Sequence, residues 1–434
     1  MRKFLKTVGA LAMVSMLAFG SACGGGGSSE SSTDADGNTI VKIMFHVDQK
    51  SAEGQAYKKR IDAFNAAYKD KMIKASASYK ARTTGAADYE EQLIGMKIEG
   101  TLPDIITFDA PNCASYAKSS LIYNISDLVP QEVQDDFLSL NEYNGKLYGL
   151  PIQESSAGFY YNKNIFREAG IDVSGYTVDN PWTFEQFKAV CEQLQNAGKT
   201  PVDMRLDATK DETATYLLYP FIYAAGGSFL SEDGLTAEGY FDSAETQEGF
   251  QFLKDLVAEG YTSYAIGATD FVDGKVGMYL SSGWTIPDLD NKYPEVFPNR
   301  DSWGLLPYPK GVECASATGS WSFAITNNHH KDKTKIKELL LWLVTPESSK
   351  GITDATGMIP ARKSVETNYE PGSPEEVLRL QLEKTGIERP VTVGYPQFST
   401  IFRQVVYDMK DKSIAKVLSE KASALQSELD RLKR

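Results

Sequence analysis

The sequence predicts an α/β protein built as two lobes, and three observations lead there. From Thr39 to Ala110, apolar runs alternate with helical patterns in β-α-β-α-β order, the signature of a sheet covered by helices on both faces. From Ser156 onward a second stretch repeats that style with unrelated residues. The chain has 434 residues, 42% hydrophobic and 24% charged, which is enough for two or three ordinary cores.

In the first stretch, TIVKIMFHVD (39–48) reads as a mostly buried strand running into a loop at His46 to Gln49. Tyr57, Ile61, Phe64 and Tyr68 then recur at helical spacing. A strand near Lys74 to Tyr79 and a helix over Tyr89 to Ile98 follow, and LPDIITFDA (102–110) is a short apolar strand ending at Asp109. In the second stretch, SAGFYYN (156–162) is strand-like. PWTFEQFKAVCEQLQNAG (181–198) is a helix with Thr183 as N-cap, Gln186 at the capping-box position and Gly198 as a stop. TPVDM (200–204) returns to strand. Helices are predicted at Thr213 to Ala225 and Glu245 to Gly260, and the last forty residues are mainly helical.

The amino terminus carries a different message. Arg2, Lys3 and Lys6 precede an apolar stretch from Val8 to Phe19, and Gly20-Ser21-Ala22 are small. That is a secretory leader, too short to span a membrane as a helix. Cys23 stands just past the small residues and opens a Gly/Ser run that suits a flexible tether. The segment resembles a bacterial lipoprotein signal, which implies a leader over 1–22, acylation of Cys23 and a tether over 23–38. The formal charge of −13 repels nucleic acid and anionic lipid, so neither is an expected partner, and an anchored lipid would be the only membrane attachment. The remaining cysteines, Cys113, Cys191 and Cys314, form no metal-ligand pattern and no even-numbered disulfide framework. Cys191 reads as a small core residue, no essential disulfide is expected, and a Cys113–Cys314 pair is left open.

Catalytic signatures are scarce. There are three histidines, and His329 and His330 fall in a polar run that reads as a solvated loop. No zinc-protease, nucleophile-elbow or P-loop motif occurs. A glycosidase needs only two of the 58 acidic residues, so a secreted glycoside-active enzyme stays open as a reading. The aromatic residues say more: 23 Tyr, 20 Phe and 5 Trp, several beside glycine, where a loop presents a ring rather than burying it. Trp284 in SSGWTIPDLD and Trp321 in ATGSWSFAI have that setting, and a flat aromatic face suits the C–H face of a sugar ring. Trp182, Trp303 and Trp342, within or beside apolar patterns, are read as core.

Several segments, in order, resemble the family 1 extracellular solute-binding proteins, the capturing subunits of ABC importers. They are GTLPDIITFDAPNCASYAKSSLIYNISDL (100–128), GKLYGLPIQESSAGFYYNKNIFREAGID (145–172), PFIYAAGGSFL (220–230), FVDGKVGMYLSSGW (271–284) and GMIPARKS (357–364). The resemblance implies a two-lobed periplasmic-binding-protein-like fold with several hinge crossovers, near Glu154, Pro307 and Thr356, and a ligand cleft between the lobes. It implies one lobe from 39–153 and 308–356 and the other from 154–307 and 357–434. It also implies a set of ligand contacts: Trp284 as the stacking ring, Phe108 and Asp109 at the strand end, Glu154 at the first crossover, Phe402, Trp321, and His46 with Asp48 after the first strand. Arg82 and Arg403 are weaker candidates. Thr285 stands where some relatives carry further aromatic residues, which implies a mono- or short oligosaccharide. The implied protein is a monomer with no catalytic residue, metal or cofactor. It works lipid-anchored on the outer face of the cytoplasmic membrane with permease partners. A non-sugar solute, such as a polyamine or a phosphorylated polyol, is the alternative within the same fold.

Overall fold

A computed structural model describes residues 33–81, 87–319, 321–328 and 333–433. Cys23, the leader, most of the tether, Arg82, His329 and His330 lie outside the described residues.

The first apolar runs become strands Thr39–Phe45, Ile73–Tyr79 and Ile105–Asp109, joined by helices Ala52–Ala67 and Ala87–Glu99. The first of them pairs in parallel with the other two. Trp321–Ile325, Lys146–Pro151 and Asn141–Tyr143 extend the sheet to six strands on the side of Ile105–Asp109. Alternation along the strands supplies both faces. Val41, Ile43 and Phe45 pack with Tyr57, Phe64, Leu339 and Leu340 on one side, while Met44, Ile106 and Phe108 pack with Tyr89, Leu93 and Tyr116 on the other.

The second lobe has a four-stranded sheet in the order Trp303–Leu306, Ala157–Asn162, Val276–Ser282, Thr200–Asp203. Helix Phe184–Asn196 begins with the expected capping box: the Thr183 hydroxyl accepts from the Gln186 N–H, and the Gln186 side chain accepts from the Thr183 N–H. Helix Glu212–Ala224 is apolar nearly all round because it is buried nearly all round. Helices Tyr395–Asp408 and Ile414–Leu432 close the same core with Phe398, Phe402, Val405, Val417 and Leu425. Trp303 is buried as expected, whereas Trp182 and Trp342 are half-buried, one stacked on Tyr176 and the other edge-on to Phe64 and Tyr68.

Three passages join the lobes, and two of them form a ribbon: Gln153–Glu154 pairs antiparallel with Ile359–Pro360. The second passage differs from the expected position at Pro307. Tyr308 is packed against Phe159 and Phe221 and donates to the Leu217 carbonyl at 3.0 Å. Lys310 bridges to Thr183, and Ser316–Ala317 pairs with Gly386–Ile387. These contacts keep 308–317 on the second core, so the chain returns to the first lobe between Thr318 and Trp321. After the third passage, Ala361 and Arg362 touch the first lobe before the chain goes back: the Arg362 guanidinium donates to Asp136 at 2.6 Å.

Candidate ligand-binding cleft

The loop after the first strand, the ends of the crossover passages and the start of helix Glu212–Ala224 meet around a cavity of about 860 Å³ between the lobes. On the first-lobe wall, the His46 imidazole lies flat on the Trp321 indole, ring centres 3.4 Å apart and planes 3° apart. Thr107 fixes that ring: its hydroxyl meets the His46 backbone N–H and Nδ1, each at 3.1 Å. Nε2 stands 3.7 Å from the Glu53 carboxylate. Asp48, exposed on the same loop, also lines the cavity, its carboxylate accepting from the Lys50 N–H at 2.7 Å.

The opposite wall presents Trp284. Strand Val276–Ser282 ends in a tight turn, Gly283–Thr285, that carries the indole out of the core and leaves it 41% exposed. Glycine is required here because a Cβ on Gly283 would lie 2.3 Å from the Gly357 carbonyl oxygen. Gly357 itself has φ +70° and caps helix Pro346–Thr356. The close approach of these two glycines locks the Trp284 turn onto the third passage. Tyr216, buried beside it with ring centres 5.8 Å apart, shares a hydrogen bond of 2.7 Å with the Ser155 hydroxyl of the first passage.

The floor is an ion-pair network that crosses from lobe to lobe. Arg389 donates to both oxygens of Asp109, at 2.7 and 2.8 Å, and to Glu212 at 2.8 Å. Tyr395 and Ser399 donate to the same Glu212 carboxylate. Burial works against the charge on Arg389, but Asp109, then Tyr395 and Glu212, more than offset it, so the guanidinium is held charged.

The structure therefore brings Trp284, Trp321, His46, Asp48 and Asp109 to one cleft and leaves three expected residues out of it. Phe402 is fully buried, packed on Phe229, Phe250 and Phe398, because residues 398, 402 and 405 share the core stripe of their helix. Phe108 is buried against Tyr116, in the core that also holds Tyr89 and Leu93; strand alternation sends Asp109, its neighbour, to the cleft instead. Glu154 lies in the hinge ribbon but lines a different cavity, described below. Arg403 borders a shallow surface depression away from the cleft. Arg389, Glu212 and Tyr216 were not singled out in the sequence. Arg389 sits in irregular chain before Pro390, with no periodicity to mark it. Cys113, Cys191 and Cys314 are free thiols. Among the described residues no group of His, Cys, Asp and Glu could hold a metal ion, and no helix is long and apolar enough to cross a membrane.

Burial pushes the Glu154 carboxyl up to about 7; the Ser139 hydroxyl opposes the shift and Glu388 adds to it. The folded protein thus holds this proton where the unfolded chain, near 4.3, has lost it. Stability contributed at pH 5 is lost as the pH rises through 7, by roughly 2–3 kcal/mol at about 1.4 kcal/mol per unit. Glu154→Gln, which keeps the shape without the charge, should flatten that decline. Denaturant melts of both proteins at pH 5 and pH 8 check it, and parallel pH profiles would refute it.

A profile of bacterial extracellular solute-binding proteins matches residues 59–377 of this chain. The chain belongs to that family. Among curated relatives, a binding protein of Brucella abortus (strain 2308) is 29% identical over 234 residues, 53% of this chain and 54% of its own length. This solute-binding protein thus spans about half the length of the first curated relatives it matches. The galactooligosaccharide-binding protein of Bacillus subtilis (strain 168) is 23% identical over 358 residues, covering 78% of each chain. Among solved structures, the cyclic alpha-maltosyl-1,6-maltose binding protein from Arthrobacter globiformis superposes with a TM-score of 0.76. It is 23% identical, and the match covers 91% of this chain and 100% of that one. The two-lobed architecture of this solute-binding protein is the one those structures share.

Proposed function

We propose that this solute-binding protein captures a mono- or short oligosaccharide in the interlobe cleft and delivers it to the permease of an ABC importer. The observation that carries the reading is the pair of aromatic surfaces facing one cavity: Trp284 from the second lobe, and the Trp321–His46 stack from the first. Sugar rings offer flat C–H faces to such surfaces, and their hydroxyls donate to carboxylates such as Asp48, Glu53 and Asp288 on the same lining. A ligand that touches both walls does so fully only when the lobes close, so its binding energy shifts the population toward closure. The sugar-binding relatives support this ligand class, and the lipoprotein-like leader supports acylation at Cys23 and work at the outer face of the cytoplasmic membrane. No chemistry is done on the ligand. A polyamine is the second reading, favoured by the same carboxylates.

Calorimetric melting of the chain without residues 1–22, against mono- and oligosaccharides, polyamines and phosphorylated polyols, tests the assignment. A ligand at 100 times its dissociation constant stabilises the fold by about 2.7 kcal/mol. A shift with one sugar class and no turnover is the expected result. A shift with a non-sugar alone, or release of product from a glycan, overturns it.

A further inference from the structure

Behind the floor of the cleft, on the far side of the Asp109–Arg389 pair, lies a second cavity of about 340 Å³. Both lobes wall it: residues 138–142 and Cys113 from the first, Leu382, Glu388 and Val391 from the second, with Glu154 from the hinge ribbon. Its size is at the lower end of small-ligand sites.

Its lining holds buried polar atoms that have no hydrogen-bond partner among the described residues. Ser322 lines it and is fully buried, yet its hydroxyl has no hydrogen-bond partner among the described residues. The Asn141 amide oxygen, also buried, has none either. Unpartnered buried polar atoms are uncommon because each loses its hydrogen bonds to water without replacement. Glu154 is 5% exposed and accepts one bond, from Ser139. Four carboxylates line the cavity: Glu154, buried, and the exposed Glu142, Glu388 and Glu383, the last already paired with Arg379 at 2.6 Å. The guanidinium that reaches it, Arg389, is already engaged by Asp109 and Glu212. An anion is therefore repelled, and a neutral polyol brings no counter-charge to the buried Glu154. A metal ion lacks ligands, since no three suitable side chains converge among the described residues. What the lining complements is a positive group rich in N–H donors, carried on an apolar body that fits Pro111, Leu140 and Leu382.

We propose that this hinge-side cavity is a second binding site, for a small organic ammonium ion whose N–H groups meet Glu154, Asn141 and Ser322. Leu138 and Val391, 47% and 56% exposed, stand one on each lobe at the lining and give the alkyl chain its outer contacts. Because the walls belong to both lobes, the occupant's fit changes with the interlobe angle. Binding here and binding in the cleft are then linked, each altering the other's affinity by the same factor. The site does not depend on what the cleft takes.

The test uses n-butylammonium chloride and its uncharged counterpart n-butanol, with the chain lacking residues 1–22, at pH 8, followed by calorimetry and saturation-transfer NMR. Saturable binding of the ammonium, at least tenfold tighter than n-butanol, is expected. Glu154→Gln should weaken it at least tenfold, and Glu388→Gln, on an exposed residue whose loss does not threaten folding, a few-fold. Trp284→Ala should leave it unchanged. No saturable binding, equal binding of butanol, or full binding in Glu388→Gln overturns the proposal. So does loss in Trp284→Ala with retention in Glu154→Gln, which would put the amine in the cleft.

Discussion

Arg389→Met should lower the stability of the protein by about 3–5 kcal/mol, the usual cost of removing one partner from a buried ion pair. Arg389 is 5% exposed and makes its bidentate contact to Asp109 of the first lobe while holding Glu212 of the second. Methionine fills much of the volume, so packing loss is small. What remains is the buried Asp109 and the partly buried Glu212 about a shared gap, with Tyr395 and Ser399 still donating to Glu212. Asp109→Asn added to Arg389→Met should recover part of the deficit, because it removes an orphaned charge. Urea melts of the three proteins at pH 8 decide the matter. A single variant within about 1 kcal/mol of the parent at pH 8 would show that the network contributes little beyond geometry.

The same network shows where sequence reading stops. Strands such as Thr39–Phe45 and Ile105–Asp109 and the capped helix Phe184–Asn196 were legible because apolar period and cap chemistry are local. The loop after the first strand was legible as cleft wall for a related reason: residues at the carboxyl end of a strand in such sheets face the crevice. Facing is not local, however. Phe402 and Phe398 have the spacing of a helical stripe whether that stripe meets a core or a ligand, and only the packing of Phe229 and Phe250 against it chose the core. Glu154, expected to touch ligand, pairs in a ribbon with Ile359, and its side chain lines the other cavity. Arg389 meets Asp109 across 280 residues of sequence, and no pattern in either segment announces the other. The second passage lies at Thr318 rather than Pro307 because Tyr308 anchors on Leu217, a contact that spans 91 residues of sequence.

Trp284→Ala should weaken ligand binding about 100-fold while leaving the melting temperature of the empty protein nearly unchanged. The two halves of that expectation rest on different observations. Stability is spared because the indole is 41% exposed and the turn beneath it is held by the Gly283–Gly357 approach, which the substitution does not touch. Affinity falls because the ring is the large exposed apolar surface that the second lobe offers to the cavity, beside the buried Tyr216 and the polar Asp288, Asn291 and Lys292. An aromatic side chain buries on the order of 150–250 Å² when covered. If half of that is covered by ligand, at about 25 cal/mol per Å² the contribution is roughly 2–3 kcal/mol, which is about 100-fold. Trp284→Phe should fall between the two, since it keeps a flat face of smaller area. Phe402→Ala should behave in the opposite way, costing about 3–5 kcal/mol of stability through a core cavity with little direct effect on a ligand it cannot touch. Calorimetric titration paired with thermal melts separates the two classes. Unchanged affinity in Trp284→Ala would remove the stacking role and shift attention to the Trp321–His46 wall, where the same pair of measurements applies.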